Sequence, residues 1–162
     1  MLTKSGLYGL LEQNQIPYEA VEHPAVYTMA ELETLHLPGQ SRILKNLFLR
    51  DDKKKSYYLV SVRGDRALNL KELRQSLKSR PLSFASSSDL ASRLHLEPGH
   101  VTPLAALNDE TKTVIVVMDA ALRGTTVGVH PMENTATVFL SAEDLVRILQ
   151  DHGITVIFCD LP

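Results

Sequence analysis

The sequence predicts a mixed α/β chain of the α+β kind, with a mixed, mostly antiparallel sheet flanked by helices. Short β-rich runs recur along the 162 residues, at 41–50, 56–62, 114–119, 127–131 and 136–140. Two of them, 41–50 and 56–62, flank the polar connection Asp51-Asp52-Lys53-Lys54-Lys55, which signals an antiparallel hairpin. Helical periodicity is confined to a few segments, without the strict strand–helix alternation of a doubly wound parallel sheet.

Residues 5–14 read as an amphipathic helix with Leu7, Leu10 and Leu11 on one face, ended by Pro17. A strand over 18–22 breaks at His23-Pro24. Thr28 is placed to cap a helix over 29–37, with Glu31 completing a capping box, and Pro38-Gly39 stops it. After the hairpin, 69–79 is a third helix carrying Leu70, Leu73 and Leu77 on one side, and 82–85 is a short strand. Ser86-Ser87-Ser88-Asp89 supplies N-cap residues for a helix over 90–94. Residues 97–103 form a loop. Runs 104–107 and 114–119 read as strands joined by a polar turn at 108–110. After the strands at 127–131 and 136–140, Ser141 caps a last helix over 142–152, with Glu143 and Asp144 in its first turn. Gly153 closes that helix, and 154–159 is the final strand.

The length fits one domain spanning 1–162, large enough for a proper core. Net charge is −2, so nucleic acid could be held only through a local, salt-sensitive patch. Cys159 is the single cysteine, which excludes an intrachain disulfide and fits a reducing, cytoplasmic compartment. The first residues do not read as a signal peptide, and the longest apolar run meets Asp119 too early to span a membrane. No heptad stands out, so a monomer is expected. The six histidines lack HxxxH or HExxH spacing, and no cysteine pair supports zinc, so neither metal nor cofactor is expected. GxSxG, Walker and GxGxxG signatures are missing.

Three places can carry chemistry. Lys45 and Asn46 interrupt an apolar strand, where alternation puts Lys45 on the face of Ile43, Leu47 and Leu49, and Asn46 with Leu44 and Phe48. Burial disfavours a charged amine unless acceptors meet it. Lys45 therefore either snorkels from an edge strand or faces a ligand in a pocket. The loop Gly99-His100-Val101-Thr102-Pro103, stiffened by Pro98 and Pro103, could aim several N–H groups at one point, or be an ordinary Pro-Gly turn. His130, Pro131 and Asn134 lie in a strand-to-strand connection that could wall a pocket or simply turn the chain.

Together and in this order, 45–51, Leu82-Ser83-Phe84-Ala85-Ser86, 99–103 and His130-Pro131-Met132-Glu133-Asn134-Thr135-Ala136-Thr137 resemble the YbaK-like family of prolyl-tRNA synthetase editing domains. The likeness runs over nearly the whole chain and is strongest to the free-standing alanyl-tRNA(Pro) deacylases. The family's lysine falls on Lys45, its GxxxP loop on 99–103 and its HPxxNTA segment on 130–136. This resemblance implies a single editing domain that hydrolyses the ester of mischarged Ala-tRNA(Pro), acting in trans. It implies that Lys45 anchors the aminoacyl-adenosine end, that the backbone of Gly99, His100, Val101, Thr102 and Pro103 binds the ester carbonyl or a water, and that Asn46, His130 and Asn134 contact substrate. The implied partners are the tRNA 3′ end and acceptor stem, with prolyl-tRNA synthetase as a possible dock. Arg50, Arg80, Lys53 and Lys54, with Lys55 and Lys78, are the candidate tRNA contacts. Two alternatives stay open: a cysteinyl-tRNA(Pro) deacylase, and a non-catalytic module that binds tRNA ends.

Overall fold

The computed structural model describes residues 1–161. These residues form two sheets and five α-helices. The smaller sheet has the order β1 (Glu19–Glu22), β7 (Ala136–Ser141), β6 (Thr126–Val129), antiparallel throughout. The larger one runs β4 (Leu82–Phe84), β2 (Leu44–Asp51), β3 (Tyr57–Arg63), β5 (Ile115–Asp119), β8 (Thr155–Cys159). Its first three strands are antiparallel, including the expected β2–β3 hairpin, while β5 and β8 add in parallel. A bridge between Ile43 and Gly128 links the two sheets.

The central strands of the larger sheet are buried on both faces, and strand alternation sorts their residues. Leu44, Phe48, Leu59, Val116 and Met118 join the main core with α1 (Lys4–Gln13), α4 (Ser87–Leu94) and α5 (Ala142–Asp151). Leu49, Val60, Val62 and Val117 face the other way, under Leu73 of α3 (Leu70–Leu77). A small third cluster joins Ile43 and Phe139 to Leu32 of α2 (Met29–Glu33). Burying both faces explains why β3 and β5 are nearly continuous apolar runs.

The structure corrects the sequence reading at several elements. Residues 104–107 are not a strand: Pro103–Asn108 is a 3₁₀ helix, with the Thr102 hydroxyl accepting from Leu104 N and Pro103 in its first turn. A short, fully apolar run has no period to tell the two apart. The helix read over 29–37 stops at Glu33, because the chain turns to positive φ at His36 before Pro38. Its cap is only half the expected box: Thr28 accepts from Glu31 N, but the Glu31 carboxylate takes the Tyr27 N–H instead. Finally, Gln40–Arg42 is 3₁₀ and β2 starts at Leu44, so Ile43 leaves the strand for the cluster under α2.

Candidate active site

The start of β2, the end of β6, the segment entering α2 and the Gly99 loop converge on one cavity of about 250 Å³. Lys45 and Asn46 form one wall, Gly99 and Val101 another, and Val129 and His130 a third. Val26, Met29, Leu32 and Ile43 supply an apolar lining, and Tyr27 stands at the mouth, 62% exposed. Along the chain these groups run from Val26 to His130.

The donors come from two places. Asn46 sits opposite Ser61 in the hairpin register, and its Oδ1 accepts from the Ser61 hydroxyl at 2.6 Å. That bond fixes the amide with its Nδ2 hydrogens free of any partner among the described residues. In the Gly99 loop, His100 N is used in a turn to the Glu97 carbonyl, whereas the N–H groups of Gly99 and Val101 have no acceptor among the described residues. Gly99 is required there twice over: its φ is +87°, and a Cβ would meet the Tyr27 ring at 2.7 Å. The loop therefore brings backbone donors to a cavity wall, a concave arrangement suited to an oxyanion.

His130 supplies the acceptor. Its Nδ1 lies 3.0 Å from the Ala136 carbonyl, which can only accept, so Nδ1 carries the proton and Nε2 keeps its lone pair. Burial pushes its pKa below the ordinary histidine value; the Ala136 bond opposes this, and the nearby His23 and His100 add to it. The ring is thus neutral near pH 7.

Lys45 lines the cavity by its stem, while its amine donates to the Arg66 carbonyl in the connection after β3. Arg66 in turn is held by buried Asp119 at 2.8 Å.

Other candidate residues lie away from the cavity. Asn134, 1% exposed, donates its side-chain amide to the Val26 carbonyl at 2.7 Å, and its backbone carbonyl accepts from Val26 N, so it holds the wall segment without lining the pocket. Thr102 and Pro103 are buried as the cap and first turn of the 3₁₀ helix. His100 stands beside Tyr27, ring centroids 6.5 Å apart. Arg50 is turned to Asp89, with Nε 3.8 Å from the carboxylate. Arg80 is paired through two hydrogen bonds, 2.6 and 3.0 Å, with Asp52. Lys53 and Lys54 are exposed at the hairpin tip, just past the end of β2 at Asp51, which stands about 20 Å from Lys45 at the ~3.3 Å rise of a strand.

The sequence reading missed the 23–32 wall. Buried His23 bonds Thr137 through Nε2 at 2.9 Å and the Pro24 carbonyl through Nδ1, tying this segment to β7 beside the His130 ring. The available signal was an aromatic residue, Tyr27, in a loop bounded by Pro24 and a cap.

Comparison with known proteins shows the family. The family model described as "Aminoacyl-tRNA editing domain" matches residues 23–148, a span that starts at His23 and takes in every cavity residue. Among curated proteins, the prolyl-tRNA editing protein ProX of Acetoanaerobium sticklandii is 43% identical over 96% of this chain and 95% of its own length. The prolyl-tRNA synthetase associated domain-containing protein 1 of Bos taurus is 40% identical over 83% and 81%. Among solved structures, the hypothetical protein APE2540 superposes with a TM-score of 0.71 at 19% identity, covering 94% of this chain and 97% of that one. A shared fold and identity sustained from end to end lead to one assignment: the chain belongs to the aminoacyl-tRNA editing domain family.

Proposed function

We propose that this protein is a trans-editing deacylase that hydrolyses the ester of mischarged Ala-tRNA(Pro). The observation that carries the reading is the set of unpartnered donors, Gly99 N, Val101 N and Asn46 Nδ2, around a small cavity to which Val26, Met29, Leu32 and Ile43 give an apolar lining. Nearly full-length similarity to a prolyl-tRNA editing protein supports the substrate class.

In the reaction a water adds to the ester carbonyl, and the loop N–H groups stabilise the oxyanion. Removing one such donor elsewhere costs roughly 10²–10³ in rate. The carbon–oxygen bond to the ribose then breaks, and the proton lost by the water ends on the ribose oxygen. His130 Nε2 is the side-chain acceptor available to orient that water. Lys45 anchors the aminoacyl-adenosine end, which requires its flexible stem to exchange the Arg66 carbonyl for substrate. An attacking lysine would form a stable amide and stop turnover. Val26, Met29, Leu32, Ile43 and Val129 leave room for a methyl side chain. A synthetase site built for proline cannot strongly reject alanine by size, because a methylene is worth only about 1–3 kcal/mol. A second, smaller sieve can then admit alanine and exclude proline.

The partners on this reading are the tRNA 3′ end and acceptor stem, approached by a monomer, with prolyl-tRNA synthetase as the protein it docks on. The test is deacylation of alanyl-, cysteinyl- and prolyl-tRNA(Pro) beside Lys45→Ala. Loss of alanine alone, slowed at least tenfold in the variant, is expected. Preference for cysteine moves the protein to the other branch. Absence of cleavage overturns the enzymatic reading, and full activity of Lys45→Ala overturns the anchor.

A further inference from the structure

Cation placement is uneven. Residues 51–55 and 71–80 hold seven of the 17 Lys and Arg but only three of the 19 Asp and Glu, a local net charge of +4 in a chain of net −2. The fold brings these two segments together. Arg80 clasps Asp52 across the gap between the end of α3 and the hairpin turn, and Leu82 pairs with Asp51 in the sheet.

On α3 itself, Lys71, Arg74 and Lys78 fall on one flank, away from the buried Leu73 stripe, and with Gln75 and Ser79 they line a shallow groove. All three cations are exposed. Lys71 and Lys78 have no anionic partner among the described residues, and Arg74 meets only the Ser79 carbonyl, at 3.3 Å. From Lys71 to Lys78 the flank is about 10 Å long at ~1.5 Å per residue. Lys78 closes the helix at φ +54°, a conformation that glycine or asparagine usually fills.

We propose that this α3 flank, continued by Lys53, Lys54 and Lys55, is a docking surface for the phosphate backbone of RNA. It would take the paired stem of the tRNA whose 3′ end enters the cavity. This inference rests on the function proposed above. The end of β2 at Asp51, just before the hairpin tip, stands about 20 Å from Lys45 at ~3.3 Å per residue. At ~3.4 Å per nucleotide of one strand, that is about six nucleotides inward from the esterified terminus. Arg80, neutralised by Asp52, braces the surface and holds the helix end against the hairpin. The unpaired lysines and Arg74 supply the charge.

The test compares wild type with Lys71→Ala/Arg74→Ala/Lys78→Ala. Affinity for uncharged full-length tRNA is read by fluorescence anisotropy across a salt series, alongside cleavage of a short aminoacylated 3′-end oligonucleotide. The triple variant should bind tRNA at least tenfold more weakly. Its plot of log affinity against log salt should flatten by about two to three, at ~0.9 for each phosphate no longer neutralised. Cleavage of the short oligonucleotide should be unchanged. Glu72→Gln, which removes the one carboxylate of α3, should tighten tRNA binding a few-fold in the same assay. Unchanged tRNA affinity in the triple variant, or equal loss on both substrates, overturns the surface. Wild type that binds tRNA salt-dependently but cleaves no ester overturns the deacylase reading and leaves the surface standing.

Discussion

Asn46 illustrates how one side chain can be both structural and chemical. Ser61, fully buried, takes up the amide oxygen and leaves the amide hydrogens for the cavity. Asn46→Asp should keep the serine bond and replace the donor by a charged acceptor. Deacylation should fall by roughly 10²-fold with little change in melting temperature, measured by single-turnover kinetics and thermal denaturation. His130 makes a prediction about pH. Protonation would fill the Nε2 lone pair, so activity should fall on the acid side with a midpoint below the ordinary ~6.5, and His130→Gln should abolish that limb. Stability follows the same sign. The folded ring binds its proton less readily than the unfolded chain, so the unfolded state carries more protons below about pH 6.5 and stability falls as pH falls. Above that pH the contribution is complete, and urea titrations at several pH values in His130→Gln should show a shallower acid loss. Both roles were visible in the sequence as residue types out of place: an amide in an apolar strand and a histidine beside a proline. Their orientations were not, because each is set by a partner brought in by the fold.

At the scale of elements, caps were the most legible feature and short apolar runs the least. Ser86 and Asp89 form the reciprocal capping box that starts α4, three residues before the helix read from sequence. The Asp89 carboxyl is also held below its usual range: burial pushes it up, but the bonds from Ser86 and Tyr57 and the charge of Arg50 outweigh it. Ser86→Ala should cost about 1 kcal/mol, seen as a lower midpoint in urea, with turnover of alanyl-tRNA(Pro) unchanged because α4 lies outside the cavity. A large drop in turnover would mean that α4 positions the Gly99 loop. The strand read at 104–107 failed for the opposite reason: nothing local competes in a run of Leu and Ala, so the cap at Thr102 and the burial of Leu104, Ala105 and Ala106 decided its form.

For the whole molecule the decisive junction is where the sheets meet. A Cβ at Gly128 would come within 2.7 Å of the Phe139 ring and 3.0 Å of Ile43, the residue that bridges to it just before Leu44 and Lys45. Gly128→Val should therefore wedge the sheets apart at the base of the cavity. The expected cost is about 1–3 kcal/mol of stability with a raised KM, measured by thermal denaturation and steady-state deacylation. An unchanged KM would show that the cavity does not depend on this junction. By itself the sequence determined the hairpin, the caps, the apolar character of the central strands and the residues able to do chemistry, since these follow from spacing and side-chain type. Only the tertiary structure decided that there are two sheets, that β5 and β8 add in parallel, and that Asn134 and Thr102 brace the site while Val26, Tyr27, Gly99 and His130 line or rim it. Those outcomes depend on packing between residues far apart in the chain, which no local pattern encodes.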